Sequence, residues 1–179
     1  MKKRILKVTL LVLLLALGFA VKANTNSAVD DRPVHEIHAM MIYNFIKYVE
    51  WPDDARSGKF VIGVFGDKDL LNNLQQFYTN RLIKGQKVEI VYFNKVSDVK
   101  PTQVMYLADN QSGKFDEIKN IVSGKPTLLI TDGASLGKDG SCINFRNDSG
   151  KLKFEINEAS VSANKLKVSS QLLSMGIKI

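Results

Sequence analysis

The sequence predicts an α/β protein whose mainly parallel central sheet is flanked by helices and followed by a C-terminal antiparallel hairpin. Short apolar runs, typical of buried strands, alternate with stretches of helical period through the middle of the chain. Near the C-terminus, two strand-like segments are separated only by a strong turn signal. No internal repeat or low-complexity tract interrupts this pattern.

The first residues indicate export. Lys2, Lys3 and Arg4 precede an apolar run at residues 10–21, and a site with small residues ends at Ala23. An uncleaved anchor is the alternative, but the run is shorter than the about 20 apolar residues that a membrane span needs. We therefore expect three segments: a cleaved signal peptide at 1–23, a disordered leader at 24–33 and a single domain at 34–179.

Net charge argues against nucleic acid as a partner. The whole chain carries 25 basic and 18 acidic residues, a net charge of +7. Five of the basic residues lie in segment 1–23, so the remaining chain has 20 basic and 18 acidic residues, a net charge of +2. A nucleic-acid-binding domain needs a clustered basic surface, and the lysines here are scattered.

The elements follow in a regular order. An amphipathic helix is predicted over residues 33–50, because its apolar residues share one broad face and Pro52 prevents its continuation. Apolar runs predict strands at 59–65, 87–93, 103–108 and 126–131, and helical periods predict helices at 69–78 and 114–122. The hairpin strands are predicted at 141–146 and 151–157, followed by helices at 158–164 and 172–177.

Cys142 is the single cysteine, which excludes an intramolecular disulfide. Because it begins a strand-like run, a packing role is favoured over a redox role.

The two histidines, His35 and His38, raise a metal hypothesis that the sequence does not support. Their spacing differs from the His-Glu-x-x-His pattern of zinc proteases, and no third ligand is evident nearby. His38 also falls within the apolar arc of the predicted helix. We therefore predict no metal site and interpret these residues as packed or capping histidines.

Asp67 and Asp132 each follow a predicted parallel strand, at the edge where α/β sheets bind ligands. They are candidate ligand-binding residues for a cation or a hydrogen-bonding molecule. The alternative is that each aspartate accepts backbone N–H groups in its loop or begins a helix.

Catalytic arrangements have little support. Ser169 and Ser170 lack the strand–turn–helix context of a nucleophile, and the loop at residues 133–137 lacks the Lys-Ser/Thr ending of a phosphate-binding loop. We expect no enzymatic activity and no cofactor. A hydrolase would require a compact Asp/His/Ser site.

Two stretches together resemble a known family. Residues 43–52 (YNFIKYVEWP) resemble the opening motif of YfiR-like periplasmic proteins. Residues 143–145 (INF), 150–157 (GKLKFEIN) and 166–173 (LKVSSQLL) resemble the hairpin and the segment that closes the same family. These motifs are far apart and in the right order, so the resemblance covers nearly all of the chain after residue 23.

The resemblance implies a function. YfiR-like proteins are periplasmic repressors that bind the outer-facing domain of an inner-membrane diguanylate cyclase, and so lower cyclic-di-GMP signalling and biofilm formation. An OmpA-like outer-membrane lipoprotein can sequester the repressor, and the family is dimeric. The alternative is a periplasmic small-molecule-sensing or accessory subunit of another membrane receptor, such as a sensor kinase.

The resemblance also implies partner-binding residues around the hairpin: Phe145 and Glu155 within the matching motifs, and Val161 by spacing. Tyr43 is a further candidate on physical grounds, because it lies on the polar side of its helix and aromatic residues are enriched at interfaces. One difference concerns redox gating: better-known members carry cysteine pairs, which the lone Cys142 cannot reproduce.

Overall fold

A computed structural model describes residues 32–179, whose strands form one large mixed sheet and one small antiparallel sheet. The predicted signal peptide and residues 24–31 of the predicted leader lie outside the described residues. The helices are α1 (Val34–Tyr48), α2 (Lys68–Tyr78), α3 (Phe115–Val122), α4 (Glu158–Ala163) and α5 (Ser170–Met175). The strands are β1 (Val49–Glu50), β2 (Phe60–Phe65), β3 (Leu82–Ile83), β4 (Gln86–Phe93), β5 (Val104–Leu107), β6 (Leu128–Thr131), β7 (Ile143–Asp148), β8 (Lys151–Ile156), β9 (Lys167–Val168) and β10 (Ile177–Lys178).

The large sheet is built on five parallel strands in the order β4-β2-β5-β6-β7. Strand β3 extends one edge antiparallel to β4, while β8 pairs antiparallel with β7 at the other side and β10 pairs with β8. The order of the parallel strands corresponds to 2-1-3-4-5 of flavodoxin-like sheets, in which ligands bind where the strand order reverses. Here the reversal lies between β2 and β5. The predicted class, a mainly parallel α/β sheet with a C-terminal hairpin, is confirmed.

The central strands are apolar along their whole length because helices and loops cover both faces of the sheet. Every residue of β5 and β6 is buried. Gly63 in β2 leaves room for its neighbours, since a Cβ there would lie 2.9 Å from both Met105 Cε and Phe93 Cε2. The sheet interior is therefore closed, and polar chemistry is confined to the strand ends.

The hairpin follows from its turn. Strands β7 and β8 pair from Ile143 and Ile156 to Asp148 and Lys151, which leaves a two-residue loop. Both loop residues have left-handed backbone, with φ of 53° at Ser149 and 79° at Gly150. Two positive φ values are the requirement of a type I′ turn, whose twist matches that of the strands.

Helix α1 packs its apolar face against the hairpin. The Phe45 ring centroid lies 4.8 Å from that of Phe154 and 5.7 Å from that of Phe145. The helix ends at Tyr48, two residues before the predicted end. The reason is tertiary: Val49 and Glu50 adopt an extended conformation and pair antiparallel with β9.

The C-terminal segment also differs from the expectation. Its helix begins at Ser170 because the Ser169 hydroxyl caps it, accepting a hydrogen bond from Leu172 N at 3.2 Å. The prediction that this helix continues to Ile177 was wrong, because Ile177 is extended and pairs with Glu155 of β8. Cys142 is buried, as the packing interpretation expects, and burial raises the pKa of its thiol to about 11.

Among residues 32–179, no helix has both the length and the apolar character needed to cross a bilayer.

The contact between α1 and the hairpin predicts a stability effect. Phe45→Ala should lower the free energy of unfolding by about 3–5 kcal/mol, because it removes a buried ring between the two elements. Urea unfolding followed by circular dichroism would measure it. The matched control is Asn44→Ala, at the exposed neighbouring position of α1, with an expected change within about 0.5 kcal/mol. Equal unfolding midpoints for the two variants would contradict this packing.

Candidate functional site

Three aspartates meet at the carboxyl edge of the parallel sheet. Asp67 follows β2, Asp109 follows β5 and Asp132 follows β6 directly. Parallel neighbouring strands end at the same edge, so these side chains line one pocket of about 360 Å³. The pocket lies at the reversal point between β2 and β5, which is where open α/β sheets bind ligands. The structure therefore brings together Asp67 and Asp132, the two candidate ligand-binding residues of the sequence.

Asp67 has two fixed contacts. Its Oδ1 accepts a hydrogen bond from Leu70 N at 2.8 Å and so caps α2. Its Oδ2 lies 2.9 Å from Nδ1 of His35, which α1 carries in its first turn. Asp67 is thus both a helix cap, as the structural alternative predicted, and a member of the pocket.

Asp132 accepts a hydrogen bond from the Tyr106 hydroxyl, with 3.4 Å between Oδ2 and the phenolic oxygen. Burial raises the pKa of its carboxyl group, and the neighbouring carboxylates of Asp109 and Asp67 raise it further. The Asp132 carboxyl group is therefore stabilised by taking up a proton or by a cation bound close to it.

His38 lies behind the pocket, only 1% exposed. Its ring stacks on that of Phe145, with centroids 4.0 Å apart and planes 7° apart. Its Nδ1 is 3.4 Å from the Tyr106 hydroxyl oxygen and 3.8 Å from Asp132 Oδ2, while its Nε2 has no hydrogen-bond partner among the described residues. Burial lowers the pKa of His38 to about 4, so the imidazole is neutral at neutral pH. The prediction of a packed histidine is confirmed for His38.

A second cleft of about 500 Å³ adjoins the acidic pocket and shares Asp109 and Asp132 with it. Its other wall is the hairpin, where a buried polar network runs along the cleft. Thr131 Oγ1 donates to Asn144 Oδ1 at 2.7 Å, and Asn144 Nδ2 donates to Glu155 Oε2 at 3.1 Å. Arg146 Nη1 then donates to Glu155 Oε1 at 3.1 Å. We name this space the hairpin cleft.

The three residues that the resemblance implies for partner binding are buried in this chain, and Tyr43, predicted on the polar side of its helix, is half-buried. Phe145 and Glu155 line the hairpin cleft, whereas Val161 is buried in α4 and Tyr43 is half-buried on α1. Tyr43 packs on Phe77, with ring centroids 4.9 Å apart. The cleft thus brings together two of the four residues, and their role in partner binding stays a prediction.

Sequence reasoning missed several residues of these two spaces. Asp109 follows a strand as Asp67 and Asp132 do, and the same argument would have found it. Asp69 carries no such signal, because its place beside His35 depends on how α1 crosses the sheet edge. The structure brings ligand atoms of His35, Asp67 and Asp69 within 4.8 Å of one another, a set that could hold a metal ion.

These features define a class: an α/β protein whose polar groups gather at the switch point of a parallel sheet and beside a C-terminal hairpin. A comparison with family models matches residues 35–176 to the YfiR/HmsC-like family, and the chain belongs to that family. Membership supports a role as a periplasmic regulator in general.

A solved structure described as a conserved domain protein from Vibrio cholerae O1 biovar El Tor strain N16961 has a similar fold. The two chains superpose with a TM-score of 0.50 at 14% sequence identity, and the match covers 80% of this chain and 59% of that one. This chain therefore spans less than two thirds of the length of its structural neighbour, and at this identity the likeness concerns the fold alone. A comparison with curated proteins gives no match.

The buried His38 predicts acid sensitivity. In the unfolded chain the imidazole takes up a proton near pH 6.5, whereas in the folded protein it does so only near pH 4. The unfolded state therefore binds more protons in that interval, and the free energy of unfolding should fall by up to about 3 kcal/mol as the pH drops through it.

Urea unfolding between pH 7 and pH 4 measures this loss. The comparison protein is His38→Phe, which keeps an aromatic ring against Phe145 but cannot be protonated. Its stability should decline less over the same interval. Identical pH dependence of the two proteins would show that His38 does not contribute.

Proposed function

We propose that this protein binds the periplasmic domain of an inner-membrane diguanylate cyclase and represses it, which lowers cyclic-di-GMP signalling and biofilm formation. In this proposal the chain is exported, cleaved after Ala23 and active in the periplasm without catalysis of its own. The single observation that carries the proposal is the family match over residues 35–176, which includes both the α1 motif and the hairpin.

The hairpin cleft offers a surface for such a partner. Of its polar network, Arg146 is the member that reaches solvent, with 51% of its side chain exposed, whereas the Glu155 side chain is 9% exposed. Both carboxylate oxygens of Glu155 already have donors, Asn144 and Arg146. Glu155 therefore serves to hold Arg146 at the rim, and Arg146 is the group that we propose contacts an acidic or amide side chain of the cyclase.

Phe145 supports the same surface from below. Its ring stacks on the His38 ring and contacts the Phe45 ring, so it lines the part of the cleft next to α1. Val161 and Tyr43 lie away from the cleft lining, so they would belong to a wider interface or to a second one.

Binding can be tested with the purified periplasmic domain of the cyclase encoded by the same organism. Arg146→Ala should weaken binding by about tenfold, because arginines are among the residues that contribute most to binding at interfaces. The matched control is Lys87→Ala, an exposed lysine on β4 at the other side of the sheet. Isothermal titration calorimetry gives both affinities. Equal loss in the two variants, or none in either, would contradict the proposed contact.

The cellular consequence is a separate measurement. Deleting the gene should raise cyclic-di-GMP and biofilm mass, and the wild-type gene should restore both, whereas a gene carrying Arg146→Ala should restore them only partly. Immunoblotting of the periplasmic fraction controls for the amount of each variant. Unchanged cyclic-di-GMP after deletion would contradict a repressor function.

Two further partners belong to this proposal. An OmpA-like outer-membrane lipoprotein would sequester the protein and release the cyclase, and the repressor itself would act as a homodimer. Both rest on family membership.

A second candidate function is a small-molecule-sensing or accessory subunit of another membrane receptor, such as a sensor kinase. The observation that favours it is the 360 Å³ pocket, whose lining includes four aspartates and one lysine, Lys68. Such a pocket selects a positively charged ligand. A thermal shift with putrescine or spermidine that Asp132→Asn abolishes would support this function, and no shift with either amine would count against it.

A further inference from the structure

Three side chains from two elements converge at the mouth of the acidic pocket. His35 comes from the first turn of α1, while Asp67 and Asp69 come from the cap and first turn of α2. His35 Nδ1 is 2.9 Å from Asp67 Oδ2, and His35 Nε2 is 3.9 Å from Asp69 Oδ2. One ligand atom from each residue lies within 4.8 Å of the other two. Ligands of a tetrahedral ion lie about 3.4 Å apart at metal–ligand distances of 2.0–2.2 Å, and an imidazole binds an ion through one of its two nitrogens. A bound ion would therefore replace one of these two His35 contacts and draw both carboxylates towards a single ring nitrogen.

The side chains of the three residues differ in how freely they can move, and this difference allows them to adjust around an ion. Asp67 is the anchor, because its side chain is only 11% exposed and its other oxygen caps α2. His35 and Asp69 are 35% and 75% exposed, so both side chains can adjust without disturbing the core. The open side towards solvent leaves an entry path and a position for water.

The charge around the three groups is unbalanced. The pocket lining adds the carboxyl groups of Asp109 and Asp132, and Lys68 is its one lysine or arginine. The Lys68 ammonium lies 5.8 Å from the centroid of the Tyr92 ring, which is not part of the lining. Within the described residues, the carboxylates at this edge thus outnumber the cations that could neutralise them, and a bound cation would correct the imbalance.

A second observation concerns the residues directly behind the same pocket. His38, one helical turn after His35, is 1% exposed, and its Nε2 has no partner among the described residues. Its Nδ1 faces the Asp132 carboxyl group, 3.8 Å from Oδ2. The carboxyl group of Asp132 in turn has its pKa raised by burial and by its acidic neighbours. Behind the pocket, the buried His38 Nε2 is thus without a partner among the described residues, and the Asp132 carboxyl group that lines the pocket lies among acidic neighbours.

We propose that His35, Asp67 and Asp69 bind one divalent transition-metal ion of the zinc class at the switch point of the sheet. The imidazole of His35 indicates the class of metal ion, because nitrogen ligands suit zinc, cobalt, nickel and copper, whereas magnesium and calcium prefer sites made of oxygen alone. Three protein ligands with a fourth position open to water is a common arrangement for zinc. The site contains no hairpin residue and goes beyond the proposed repression, so its test does not depend on the cyclase.

The test uses the exported chain purified without a polyhistidine tag and treated with a chelator. Titration with zinc chloride should show one ion bound per chain. Cobalt(II) in place of zinc should produce the visible absorption bands of a low-symmetry site, which report coordination directly. Magnesium and calcium should bind at least about 100-fold more weakly than zinc, because neither ion readily exchanges a coordinated water for an imidazole nitrogen.

Variants assign the ligands. His35→Gln and Asp69→Asn should each weaken zinc binding by about tenfold or more and change the cobalt spectrum. The matched control is Asp116→Asn, which removes an equally exposed aspartate from the first turn of another helix, α3, and should leave binding unchanged. Thermal unfolding of each metal-free variant confirms that it is folded. Absent zinc binding, full affinity in His35→Gln, or equal affinity for magnesium would each overturn the proposal.

Discussion

The organisation of this protein depends on one constraint, which is that parallel neighbouring strands end at the same edge of a sheet. Strands β2, β5 and β6 are each followed closely by an aspartate, and the shared edge brings Asp67, Asp109 and Asp132 into one pocket. Burial, and after it the neighbouring carboxylates of Asp109 and Asp67, raise the pKa of the Asp132 carboxyl group, so holding these charges together costs free energy. Donors from Leu70 N and the Tyr106 hydroxyl offset part of that cost. The remaining excess of negative charge is what gives the pocket its chemical character.

Helix α1 joins the two polar spaces of the molecule. Its first turn places His35 against the β2–α2 turn, its second places His38 between the acidic pocket and Phe145, and its later turns pack Phe45 on the hairpin. A helix of 15 residues is stiff, so a shift that moves one of these groups moves the others. The acidic pocket and the hairpin cleft are therefore supported by one element, although they belong to different parts of the sheet.

Much of this arrangement was accessible from the sequence. Apolar periodicity placed the long helices and the buried strands to within a few residues, and the turn signal at residues 147–150 predicted the hairpin. The structure narrows the turn to Ser149 and Gly150, because Asn147 and Asp148 pair within the hairpin. The position of Asp67 and Asp132 after parallel strands predicted that they could meet. The short strands β1, β3, β9 and β10 were not predicted, because two-residue strands have no period of their own and exist only through their partners. The resemblance to YfiR-like proteins led to the family that the match over residues 35–176 then established.

Local patterns along the chain predict the class of fold, the family and the edge of the sheet where polar groups gather. Which of these polar groups touch depends on how the helices and strands pack. The pairing of His35 with Asp67 joins residues 32 positions apart, and it depends on the angle at which α1 crosses the strand ends. The burial of Phe145 and Glu155 likewise depends on how α1 and the neighbouring loops cover the hairpin. Contacts of this kind depend on the orientation of packed elements, and no spacing along the chain encodes that orientation.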